Sequence, residues 1–403
     1  MDIPSPESGA PPVRWDPYDL AIFADPYATY RRLREEAPLY YDQRYDFYAV
    51  SRYEDVQRVL GDRETFSSRR GDILEMIKRD VPIPDALFIF QDAPRHAVYR
   101  TPITRVFTPR RVAAIEGEIR SLCARALDPL VEGGEFDFVQ DLGLEMPLRV
   151  IGMVLGIPDQ DLKAVQKRII ANMRTEPGKP ATAHDLGGEI YRDYIEWRVA
   201  NPSDDLMTEL LNLEITEPGG ARRRLRHDEI LVMVNMLAAA GNETTNHLIG
   251  WIGKVLAEHP EQRRQIAADP ALIPQAIEEV LRFEPPSPII ARHVTRDAVF
   301  EHGTIPAGGV VVCLVASANR DERQFINAER FDIHRERCPH LSFGYGFHAC
   351  LGNALARVEG RIALEEILKR FPDWEVDLSE ARLDSSPVNR GWATLPARAV
   401  RAG

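Results

Sequence analysis

The chain has 403 residues, a formal net charge of −12 at pH 7 and only four cysteines. An acidic chain lacks the basic footprint that phosphate binding needs, which argues against nucleic acid as a partner. Cys123, Cys313, Cys338 and Cys350 are widely spaced with no C-x-x-C pair, which excludes a disulfide framework or a zinc ribbon. In chain order, "MDIPSPESGAPP" is polar and proline-rich, without the basic start and apolar stretch of a signal peptide, so residues 1–14 are expected to be flexible and the protein cytoplasmic. "PLYYD" (Pro38 to Asp42) and "FYAV" (Phe47 to Val50) predict a β-hairpin. Arginines cluster in "TRVFTPRRV" and "LARVEGR", either as solvated helix faces or as a docking patch for an acidic protein.

The longest helix is predicted from Asp228, whose charge with Glu229 suits the positive end of the helix dipole, to His259, where Pro260 stops it. Its apolar start, Ile230 to Gly241, contains Asn235 and is far short of the about 18 apolar residues of a membrane span, so no membrane anchor is expected. A helix of this length is central to whatever domain holds it. Gly241 in its interior costs roughly 1 kcal/mol relative to Ala, and the close approach of a flat ligand would explain it. "GGVVVCLVAS" (Gly308 to Ser317) predicts a buried strand. With no repeat and no composition shift, the expectation is one domain spanning residues 1–403, mainly α with a minor β region.

"FGYGFHACLG", Phe343 to Gly352, presents a cysteine on a glycine-rich loop, and "LGNALARVEGRIALEEILKRF" follows it at helical period. Three readings compete. Gly344, Gly346 and Ala349 satisfy G-x-G-x-x-G/A, but that dinucleotide fingerprint must follow an apolar strand, and "HRERCPHLSF" is charged and proline-broken. A buried structural cysteine needs no flanking glycines. A metal thiolate does: backbone N–H groups turn toward the sulfur, glycines let the chain coil tightly, and the helix N-terminus favours thiolate over thiol.

Here the sequence resembles a family. Phe343, Gly346, His348, Cys350 and Gly352 match the F-x-x-G-x-[HR]-x-C-x-G haem signature of the cytochromes P450, a coincidence on the order of one in 10⁴ with average residue usage. The resemblance runs from "WDPYDLAIFADPYATYRRLREEAP" to "RGWATLPAR". It implies the cytochrome P450 fold, with haem b between the long central helix and the cysteine-loop helix, Cys350 as iron ligand, and Gly344 completing the loop. Glu279 and Arg282 of "EEVLR" match the family's E-x-x-R pair. Arg330 of "NAERF" is implied as the third member of a buried network that holds the loop. His96 and Arg100 of "DAPRHAVYR", on one helical face, join Arg292 and His348 as the implied donors to the haem propionates.

"AGNETT" resembles the oxygen-activating segment. Ala240 and Gly241 would face the haem, and Glu243 and Thr244 would supply protons to dioxygen, as a hydroxyl backed by a carboxylate can. Met233, Met236, Leu237 and Ala240 would line the distal pocket, with Phe88 and Phe90 of a proline-interrupted lid (Gly71 to Phe90), Ile289, Ile290 and Val388. The implied activity is monooxygenation of an apolar small molecule: a terpenoid, steroid, fatty acid, aromatic acid or macrolide. With no second dinucleotide or iron–sulfur motif, electrons would come from a ferredoxin and its reductase, docked on Arg105, Arg110, Arg111, Arg357 and Arg361. A monomer is expected. A non-catalytic haem sensor and a peroxide-driven peroxygenase are the alternatives; the latter usually replaces the acid–alcohol pair by Arg and Pro.

Overall fold

A computed structural model describes residues 11–165, 167, 186–336, 338–384 and 388–400. Of the segment expected to be flexible, residues 1–10 lie outside the described residues; within the rest, the Pro11 carbonyl accepts a 2.7 Å hydrogen bond from Arg32. The chain is mainly helical, with a small sheet region, as the sequence predicts.

The predicted hairpin forms from β1 (Leu39–Asp42) and β2 (Phe47–Val50), paired antiparallel with Leu39 opposite Val50. Beyond it lie β3 (Phe66–Ser67), helix α1 (Arg95–Thr104) and helix α2 (Met146–Leu155). Helix α3 (His227–Glu258) runs for 32 residues, or about 48 Å. The Glu229 carboxylate accepts from the Arg226 N–H at 2.7 Å and fixes its start. His259 leaves helical geometry at φ −123°, and Pro260 opens the next helix.

Ile230, Leu231, Val232, Met233 and Val234 are buried in succession, so every side of α3 is covered there. That distribution fits a helix surrounded by protein: α3 packs on α2, on α4 (Ile273–Phe283) and on α5 (Asn353–Arg370). Two more strands complete the main sheet, β4 (Ile289–Val294) and β5 (Val310–Leu314), in the order β1-β2-β5-β4-β3. Strand β5 runs parallel to β2 and antiparallel to β4, and every one of its residues is buried, which is why it reads as an unbroken apolar run. Near the C-terminus β6 (Arg382–Leu383) pairs with β7 (Trp392–Thr394). Among the described residues no helix is long and apolar enough to cross a membrane.

Candidate active site

The cysteine loop closes on itself before α5 begins. The Cys350 N–H donates to the Phe343 carbonyl at 2.7 Å and the Gly344 N–H to the Leu341 carbonyl at 2.8 Å. Gly344 and Gly346 take φ of 70° and 67°, left-handed values that L side chains resist. Gly352 has φ −84° with open space around it; its N–H hydrogen-bonds the Cys350 sulfur. No strand leads into the loop over residues 338–345, so the strand–turn–helix context of a dinucleotide site is missing there.

Burial pushes the thiols of Cys123, Cys313 and Cys338 up to about 12. Desolvation also raises Cys350, but there the Gly352 N–H and the charges of Arg100 and Arg357 oppose it. A coordinated cation would fix the anion. Arg357 also stacks over the Phe343 ring at 4.4 Å while donating to Glu278 at 2.6 and 3.0 Å.

Four polar groups from three segments gather beside this loop. The His96 ring, on α1, lies 4.5 Å from that of His348 and 3.9 Å from that of Phe347. Burial, then the Arg100 charge, holds His96 down at about 4. Burial with the charges of Arg292, His96 and Arg100 holds His348 down at about 2. Both ring nitrogens of buried His96 lack a hydrogen-bond partner. Arg100 reaches the Ala349 carbonyl and Arg292 the Ala291 carbonyl at 2.8 Å, yet neither makes an ion pair with a carboxylate among the described residues. Buried donors and cations without anions suit a dianionic group, and the two propionates of haem satisfy that requirement.

On α3, Ala240 is exposed although Ala238 and Asn242 on either side are buried. A Cβ at Gly241 would meet Ile151 of α2 at 3.2 Å, so one close approach that this glycine permits is that of a neighbouring helix. The Thr244 hydroxyl donates to the Ala240 carbonyl at 2.9 Å. Glu243 Oε1 lies 3.6 Å from Nε2 of His247, and its Oε2 is buried without a partner. Thr245 hydrogen-bonds Glu359 of α5, a buried carboxyl that desolvation raises well above its usual range.

The network beneath the loop differs from expectation in one member. Arg282 grips Glu279 with two bonds of 2.7 Å, both side chains fully buried, and also donates to the carbonyls of Asn319, Ala328 and Arg330. Arg330 thus contributes its backbone, while the residue itself is exposed. The second guanidinium on Glu279 is that of Arg335, at 3.1 and 3.3 Å. From this core Asn319 reaches the loop: it accepts the Leu341 N–H and donates to the Ser342 hydroxyl, each at 2.8 Å.

Of the expected pocket residues, Met233, Met236, Leu237, Phe88 and Phe90 fall in one apolar cluster. Ile289 and Ile290, on opposite faces of β4, pack against two other clusters, and Ile289 lines a separate cleft with Val388, Trp15, Phe23 and Tyr30. The expected docking arginines are largely spoken for: Arg111 pairs with Glu209, Arg357 with Glu278 at 2.6 Å, and Arg361 with Glu116 at 2.7 Å. Arg105 and Arg110 are exposed and make no ion pair among the described residues.

The family pattern of Cytochrome P450 matches residues 182–397. Putative cytochrome P450 123 of Mycobacterium tuberculosis is 36% identical over 397 residues, covering 96% of this chain and 97% of that protein. CYP109E1 from Bacillus megaterium, crystallised with testosterone, superposes with a TM-score of 0.84 at 29% identity, covering 94% of this chain and 99% of that one. A mutant of P450 EryK, crystallised with erythromycin B, gives 0.82 at 33% identity, covering 96% and 98%. The chain belongs to the cytochrome P450 family and is a haem-thiolate monooxygenase that uses dioxygen.

Proposed function

We propose that this enzyme hydroxylates, or otherwise oxidises, an apolar small molecule, with Cys350 as the iron ligand and with electrons supplied by a separate ferredoxin. One observation carries the assignment of residues: a cysteine on a left-handed glycine loop, its sulfur met by the Gly352 N–H, sits beside the unpaired guanidiniums of Arg100 and Arg292 and the partnerless ring of His96. Haem, once bound, supplies the reductive activation of dioxygen and the oxidation of an unactivated C–H bond.

The chain's own residues do the rest. Arg100, Arg292, His96 and His348 bind the propionates. The Glu279–Arg282–Arg335 network and Asn319 hold the loop against α4. Glu243 and Thr244 deliver protons: rotation of Thr244 away from the Ala240 carbonyl frees its hydroxyl to donate, and Glu243 reprotonates it. Met233, Met236, Leu237, Phe88 and Phe90 keep the reacting space apolar and dry. Relatives in this family were crystallised with a steroid and a macrolide, which supports an apolar guest of that size range. A screen for ligands that shift the ferric haem to high spin tests the reading. A terpenoid, steroid, fatty acid or macrolide hit is expected; binding confined to charged, hydrophilic compounds would overturn it.

A further inference from the structure

His247 stands one turn beyond Glu243 on α3 and is fully buried, with neither ring nitrogen hydrogen-bonded. Its Nε2 is 3.6 Å from Glu243 Oε1 and 4.0 Å from Asp384 Oδ2, so one nitrogen faces two carboxylates from distant parts of the chain. The three atoms lie within 4.8 Å of one another. Gly391 packs against the ring: a Cβ there would fall inside the van der Waals envelope of the imidazole, and the Gly391 carbonyl accepts the Asp384 N–H at 2.9 Å, which ties the backbone of Asp384 to the same glycine. The side chains of Asp384 and Glu243 are 23% and 16% exposed, and His247, fully buried, stands between them.

We propose that Asp384 and His247 form the outer part of the proton path that ends at Glu243 and Thr244, an inference that rests on the role given to that pair above. Asp384 takes a proton from water and passes it to Nε2 of the neutral, Nδ1-protonated imidazole. The imidazolium gives the same Nε2 proton to the Glu243 carboxylate, and Glu243 gives its proton to the Thr244 hydroxyl as that hydroxyl donates its own. One proton moves inward per cycle and every group returns to its starting state. The 3.6 and 4.0 Å gaps close by small side-chain rotations or by one bridging water. An imidazole suits this step because one ring nitrogen can accept a proton and give it up again, which a Gln or Asn amide cannot do. His247 and Asp384 are positioning and relay residues that act through Glu243.

The test compares His247→Asn and Asp384→Asn with wild type, using holoenzyme and surrogate redox partners. Peroxide released per NAD(P)H is expected to rise about tenfold in each, with an enlarged solvent isotope effect. In the diamagnetic ferrous carbon-monoxide holoenzyme, labelled with ¹⁵N-histidine, the His247 Nε2 resonance is expected to move in both Asp384→Asn and Glu243→Gln. Asp384 is partly exposed, so its variant folds whatever becomes of the His247 one. Unchanged peroxide yield in both variants, or an Nε2 resonance indifferent to both carboxylates, overturns the relay. The reduced carbon-monoxide Soret band reports the Cys350 bond separately, so its loss in wild type would instead sink the functional reading itself.

Discussion

Arg335 Nε lies 3.1 Å from Oε2 of Glu279, the carboxylate that Arg282 already holds with two hydrogen bonds, so one fully buried carboxylate carries two guanidiniums. Removing one member of a buried ion network leaves the others uncompensated and costs about 3–5 kcal/mol. Arg335→Ala should lower thermal stability markedly and reduce haem retention. Arg330→Ala, which keeps the backbone carbonyl that Arg282 uses, should change stability by about 0.5 kcal/mol or less. Equal melting temperatures for the two variants would show that Arg335 is not the working partner.

The loop glycines separate by conformation. Gly344→Ala forces an L side chain into φ 70° and should cost about 1–3 kcal/mol, with weakened haem binding. Gly352→Ala, at φ −84°, asks nothing unusual of the backbone and should cost about 0.5 kcal/mol of stability or less. Differential scanning calorimetry with haem titration measures the contrast.

Acid stability should depend on Glu278. Burial pushes this carboxyl up, but the His340 ring, 3.3 Å away, and two hydrogen bonds from Arg357 outweigh it and hold the group down at about 2, against 4.5 when free. A depressed carboxylate stabilises the fold above its unfolded value, and that contribution fades as pH falls from about 4.5 to about 2. The loss should be on the order of 2–3 kcal/mol. Denaturant melts across that window should show Glu278→Gln less stable than wild type at neutral pH and nearly equal to it at the acid end. A constant difference at all pH values would contradict this.

Electron delivery should depend on the arginines that the protein leaves unpaired. Arg105→Glu and Arg110→Glu should slow reduction by an acidic ferredoxin roughly tenfold at low salt, and the difference should shrink as ionic strength rises. Arg361→Ala should matter less, since Glu116 and Glu365 already neutralise Arg361. Stopped-flow reduction rates decide; rates that ignore both salt and charge reversal would remove this docking face.

Elements whose signal is local are legible in the sequence. Helix α3 announces itself by acidic residues at one end and Pro260 at the other, β5 by its unbroken apolar run, and the cysteine loop by glycines whose positive φ the motif demands. Features that depend on distant partners are not. Glu279 and Arg335 are 56 positions apart, and no local pattern prefers Arg335 to Arg330 a few residues earlier. The contact of Gly241 with Ile151, and the pairing of the clustered arginines with Glu209, Glu278 and Glu116, carry no signal in the local sequence. Spacing could have flagged His247, one turn from Glu243, but Asp384 lies more than a hundred residues further on and carries no signal of its own.

The most direct measurement is the absorption spectrum of the reduced, carbon-monoxide-bound protein, in wild type and in Cys350→His. Wild type should show the strongly red-displaced Soret band of an anionic sulfur ligand, and Cys350→His should lose it while still binding haem. A wild-type band at the position of an imidazole-ligated haem, or a red-displaced band that survives the substitution, would contradict the assignment of Cys350 and the functional reading built on it.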